Sequence, residues 1–143
     1  MSIANYTRNV GSGKTFLSPT DLFVNCDTSN GLVEIVLPKI STLFDYYSKL
    51  GGFVYSGLRI IDKSKNAGNN NIIVEAMDDD FVGGLKKVQI TKNGGGGIVN
   101  VMGENDWFFW FNTSDIVESL NFKVVDNLQE EVIDVVNPKN PFG

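Results

Sequence analysis

Apolar residues in this chain fall in short runs that alternate with polar ones and are separated by glycine, asparagine and aspartate, which is the spacing of strands and turns. Residues 22–26 and 32–37 flank Asp27-Thr28-Ser29-Asn30-Gly31, where Asn30-Gly31 favours the positive φ angles of a tight hairpin turn. Val33, Ile35 and Leu37 share one face of the second strand with Glu34 opposite, and Pro38, which has no N–H to donate, closes it. Further strands are predicted at residues 53–55, 58–61, 72–76, 85–91, 98–102, 107–111, 122–125 and 132–136, with a polar loop over 62–71. The period changes between residues 41 and 50. There Leu43, Phe44, Tyr47 and Leu50 lie on one helical face, Thr42 and Asp45 fit a capping box, and Gly51-Gly52 ends the helix. Residues 114–120 form a second helical candidate. The pattern predicts an all-β fold, a jelly-roll-like β-sandwich, with one short helix inserted near residues 41–50. The body spans residues 19–136, between an N-terminal arm (1–18) and a C-terminal tail (137–143) that carries Pro138 and Pro141.

The run Trp107-Phe108-Phe109-Trp110-Phe111 is the most informative segment. On a strand, Trp107, Phe109 and Phe111 point one way and Phe108 and Trp110 the other. Each ring hides roughly 150–250 Å² when buried, so either face left in water forfeits several kcal/mol at about 25 cal/mol per Å². The chain's own core covers one face. The other is open to three readings: ordinary core, a subunit interface, or an aromatic platform for sugars. All five residues are subunit-interface candidates.

Composition narrows the function. The chain of 143 residues has no histidine, one cysteine, and 12 basic against 17 acidic residues, for a net charge of −5. Its length is about one domain's worth, enough to bury a core without a disulfide or metal. Scattered lysines in an acidic chain argue against nucleic acid as a partner. Nor does any window approach the roughly 20 apolar residues of a membrane span, and the N-terminus lacks a leader pattern. Cys26, within a predicted strand, packs as a small hydrophobe.

Five motifs invite chemistry, and four of them have a plainer reading. Gly11-Ser12-Gly13-Lys14-Thr15 resembles the end of a phosphate-binding loop, but Arg8 stands where its first glycine belongs, and no long helix precedes Pro19. Asp78-Asp79-Asp80, with Glu75 nearby, offers oxygen ligands, yet adjacent residues point to opposite sides and a solvated turn is expected. Glu34 and Glu75 both sit on polar strand faces without any feature that brings them to the separation of about 5–9 Å that glycoside hydrolysis uses. The run 94–97, all glycine, reads as a hairpin loop at an exposed tip. Asn112-Thr113-Ser114 matches a glycosylation sequon. No catalytic, metal or cofactor-binding residue is assigned, and an enzyme is not expected.

Five elements in order carry a family likeness: Asp27-Thr28-Ser29-Asn30-Gly31 with Val33-Glu34-Ile35-Val36-Leu37-Pro38, Gly57-Leu58-Arg59-Ile60-Ile61-Asp62, Asn66-Ala67-Gly68-Asn69-Asn70-Asn71, Ile72-Ile73-Val74, and Asn105-Asp106-Trp107. This order resembles β-rich modules of tailed-phage fibres, head fibres and capsid-decorating proteins. The chain departs from them by the helical stretch 39–52 and by five aromatics where one is expected. The resemblance implies a virion structural protein made in the bacterial cytoplasm and built as a homotrimer. It would bind the major capsid protein or other virion proteins, with Tyr6, Phe16 and Phe142 as anchoring-arm candidates. The alternative is a tail-fibre or adaptor module that recognises host-surface glycans.

Overall fold

The structure, a computed structural model, describes residues 6–51 and 55–112. The predicted helix at 114–120, the strands at 122–125 and 132–136, the tail and Phe142 lie outside the described residues, as do Phe53 and Val54.

Among the described residues, ten strands and one helix follow the order β1 (Thr7–Val10), β2 (Gly13–Phe16), β3 (Phe23–Cys26), β4 (Val33–Val36), α1 (Ile40–Ser48), β5 (Leu58–Asp62), β6 (Ile72–Glu75), β7 (Phe81–Val82), β8 (Lys87–Ile90), β9 (Gly96–Val101) and β10 (Asp106–Asn112). They build a six-stranded sheet, β1-β3-β5-β9-β10-β7, and a four-stranded sheet, β2-β4-β6-β8. The β-rich, two-sheet architecture agrees with the sequence pattern. Its winding does not follow a jelly roll, in which neighbours run antiparallel. Here β1, β3 and β5 are parallel neighbours in one sheet, and β2, β4 and β6 are parallel neighbours in the other. The chain changes sheet at every strand from β1 to β6, and each pass stacks in register on the one before: Val10, Cys26 and Asp62 align, as do Gly13, Val33 and Ile72. Only then does the direction reverse, with β8 antiparallel to β6 and β9 antiparallel to β5.

That winding corrects the predicted hairpin. β3 and β4 belong to different sheets, and neither Asn30 nor Gly31 has a positive φ among the described residues. The connection turns instead around Asp27, whose Oδ1 accepts from the Ser29 N–H at 3.0 Å and from the Ser64 hydroxyl at 2.7 Å. Thr28 is thereby directed inward and fully buried. The predicted polar loop 62–71 closes over it. Asp62, 1% exposed at the end of β5, accepts from the Thr28 hydroxyl at 2.5 Å through Oδ1, and from the Ala67 and Gly94 N–H groups at 2.8 and 2.9 Å through Oδ2. Asn66 and Asn70 donate to the Thr28 carbonyl at 3.3 and 2.7 Å. A segment that reads as solvated is thus fixed by one buried carboxylate.

Alternation along the strands fills a single core. Val24, Cys26, Leu58, Ile60, Val99 and Trp107 of the larger sheet meet Val33, Ile35, Ile72, Val74 and Ile90 of the smaller one in the same buried cluster. Burial pushes the Cys26 thiol up to about 12, with the Asp62 carboxylate adding to the shift. The thiolate is the reactive form, so Cys26 is expected to resist a thiol-specific dye at pH 8 in the folded protein and to react at once in urea. Rapid labelling without urea would show the site open.

The helix forms close to the predicted span, with a different cap. Ile40, Leu43 and Tyr47 are buried, while Phe44 and Leu50 are exposed. The helix begins at Ile40, so Thr42 and Asp45 lie inside it and make no capping box. Asp80, distant in sequence and 2% exposed, accepts from the Ile40 N–H at 2.8 Å. The aspartate triplet is therefore not a uniform solvated turn. Asp78 and Asp79 stay exposed beside Lys39, at 3.9 and 2.7 Å, and only Asp80 turns inward. Asp80→Ala is expected to cost about 1–2 kcal/mol in urea unfolding, the usual penalty for a lost N-terminal cap.

Two other expectations are corrected. The arm assigned to residues 1–18 contains β1 and β2, held by parallel pairing and by an Arg8–Asp21 ion pair at 2.8 Å. The glycine run is not a free tip either. Gly96 and Gly97 lie within β9, where a Cβ would run into the Ile60 carbonyl on one side and the Trp110 carbonyl on the other. Glycine is needed there because neighbouring backbones approach too closely for a side chain.

Candidate functional site: the outer aromatic face of the larger sheet

The aromatic strand is β10, and its side chains divide as the alternation requires. Trp107 is fully buried and Phe111 is buried beside a half-buried Phe109, whose ring lies 5.1 Å from that of Phe111. Trp107 meets Tyr55 edge-on at 6.2 Å, and Tyr55 meets Tyr47 of α1 at 5.3 Å, so the inner rings tie the sheet to the helix. Gly83 makes room for Phe109: a Cβ there would come within 2.5 Å of the ring. Burial and the neighbouring Tyr47 raise the Tyr55 hydroxyl well above the usual tyrosine range.

The opposite side is exposed at its rings. Trp110 is 62% exposed and Phe108 48%. Register fixes their neighbours. Trp110 pairs with Ile98, Ile98 with Arg59, and Arg59 with Phe23, one row across β10, β9, β5 and β3. Phe108 pairs with Asn100 in the adjacent row, and Ile61, also exposed, stands two residues beyond Arg59 on β5. At the sheet edge the partly exposed Phe81 lies under the Lys86 ammonium at 5.4 Å. The result is a surface of exposed rings and aliphatic side chains that also carries the Arg59 guanidinium, Asn100 and, towards the edge, Asp106. Among the described residues no carboxylate comes within ion-pair distance of Arg59.

Such a surface binds by burial, stacking and cation–π attraction. Glu75 faces Lys14 at 3.6 Å, and Lys14 is in register with Glu34, so the lysine stands among the two carboxylates. Lys14 itself belongs to β2, so the phosphate-loop likeness continues into a strand. Among the described residues no group of three or more His, Cys, Asp or Glu is placed to hold a metal ion.

Of the interface candidates, Phe108 and Trp110 lie on this surface, whereas Trp107 and Phe111 belong to the core. The arm candidates separate as well. The Tyr6 carbonyl accepts from the Leu22 N–H at 2.9 Å, and Phe16 stands exposed on β2, in the other sheet. Sequence reasoning missed Phe23, Arg59, Ile61, Ile98 and Asn100. Their outward direction is readable from alternation, but their adjacency to β10 depends on the strand order. In comparisons with known proteins, no family model and no curated sequence matches the chain. Among the described residues no helix is long and apolar enough to cross a membrane.

Proposed function

We propose that this protein is a non-catalytic structural module that joins a larger assembly by covering the outer aromatic face of its larger sheet. The observation that carries this reading is Trp110, held next to the edge of the larger sheet with most of its side chain in water, in line with Ile98 and Phe23. Contiguous apolar patches of this kind on soluble proteins mark interaction sites. The segment order that resembles tailed-phage fibre and head-fibre modules gives the assembly its particular form, a virion. The two sheets act as a sandwich-like frame that presents the face.

The Phe108→Ser/Trp110→Ser double variant is expected to keep its circular dichroism spectrum and unfolding midpoint while its occupancy in purified phage particles falls at least about tenfold, as loss of two central aromatic anchors does elsewhere. Unchanged occupancy would count against the reading. A second reading, host-glycan recognition, draws on the hydrogen-bonding groups of Arg59 and Asn100 beside two exposed rings. Selective, Trp110-dependent signals on a glycan array would favour it over protein docking.

A further inference from the structure

Resting on that docking reading, we infer that the occupant of the aromatic face is a second copy of this chain, related by a two-fold axis running along β9. The face is self-complementary in that arrangement. β9 lies between β5 and β10, and within one row Arg59 and Trp110 flank Ile98 on opposite sides. Neighbouring strands are about 4.8 Å apart, so the two side chains are displaced equally from β9. Rotation by 180° about an in-plane axis along β9 exchanges the two sides and preserves each row. Arg59 of each copy then lies over Trp110 of the other, giving two equivalent cation–π contacts in an isologous interface. Ile98 meets its own equivalent on the axis.

The next row fits the same operation. Phe108 stands on the β10 side of Asn100, and on the β5 side lies Gly57, where a Cβ would come within 3.2 Å of Asn100. The ring is thus carried over a position without a side chain. A two-fold axis across the strands gives the opposite result, because each row residue then faces itself and the two Arg59 guanidinium groups repel. Only the axis along β9 joins the Arg59 guanidinium to the exposed indole.

Cross-linking of the full chain tests this arrangement. With a bismaleimide reagent that spans the roughly 10 Å between facing sheets, Ile98→Cys is expected to form a cross-linked dimer in at least about half of the chains, with the buried Cys26 silent in the unaltered protein. Arg59→Cys and Trp110→Cys are each expected to cross-link poorly alone and at least about fivefold better when mixed. Trp110→Ala is expected to raise the dimer dissociation constant in sedimentation equilibrium by at least about tenfold. Three results would overturn the inference: a monomer at 100 μM with no Ile98→Cys product, a trimer, or Arg59→Cys cross-linking alone as well as in the mixture. If any of these appears while the Phe108→Ser/Trp110→Ser variant still loses its place in particles, the docking reading stands and the self-partner fails. If occupancy is unaffected while Ile98→Cys cross-links, the self-partner stands and the docking reading fails.

Discussion

Asp62→Ala is expected to destabilise the protein by about 3–5 kcal/mol, read as a drop in the urea midpoint without loss of cooperativity. The side chain is 1% exposed and serves three donors at once, the Thr28 hydroxyl and the Ala67 and Gly94 N–H groups. Truncation leaves the two buried donors and the part-buried Gly94 N–H without their acceptor, and each buried group so stranded costs about 1–3 kcal/mol. Those donors come from three separate connections: the turn after β3, the loop after β5 and the turn before β9. The carboxylate is therefore the point at which successive passes are held in register, and no local contact replaces it. Asp62→Asn separates the causes, since an amide keeps the volume and one acceptor oxygen but turns an NH₂ towards a donor. Its cost is expected to lie between those of the wild type and alanine. A midpoint within about 0.5 kcal/mol of wild type for Asp62→Ala would show that water satisfies the donors and that the network does not hold the passes together.

The same residue shows what the sequence conveys and what it withholds. Alternation marks Leu58, Ile60, Val33, Ile35, Ile72 and Val74 as inward, and all are buried. The helical period at Leu43 and Tyr47 is equally plain, because a period is a local property. Pairing is not local. Asn30-Gly31 carries a strong hairpin signal, yet parallel stacking of β3 on β1 and β5, and of β4 on β2 and β6, prevails over a two-residue turn. Tertiary pairing involves many backbone hydrogen bonds and outweighs one favourable turn pair. Asp80 is the parallel case for the helix: the sequence offers Thr42 as a nearby cap, and the fold supplies a cap 40 residues away. The aromatic face lies between these extremes. Its direction was legible from β10 alone, and its composition required the order of β3, β5, β9 and β10.

Trp107→Ala and Trp110→Ala should have opposite consequences, although the two indoles lie three residues apart on one strand. Trp107 is fully buried against Tyr55 and the core, and its removal is expected to cost about 3–5 kcal/mol, the range for deleting a large core aromatic. Trp110 is 62% exposed, so Trp110→Ala is expected to leave monomer stability within about 0.5 kcal/mol and to act only on association. Fluorescence distinguishes the two states directly, because these are the chain's two tryptophans. In dilute monomer, Trp110→Phe should shift the emission maximum to shorter wavelength, leaving the shielded Trp107, and Trp107→Phe should shift it to longer wavelength. On self-association the wild-type emission should move towards that of Trp110→Phe as the outer indole loses water. Equal stability losses for the two alanine variants would mean that both faces of β10 are covered within the monomer, and the surface proposed for docking would then belong to the core.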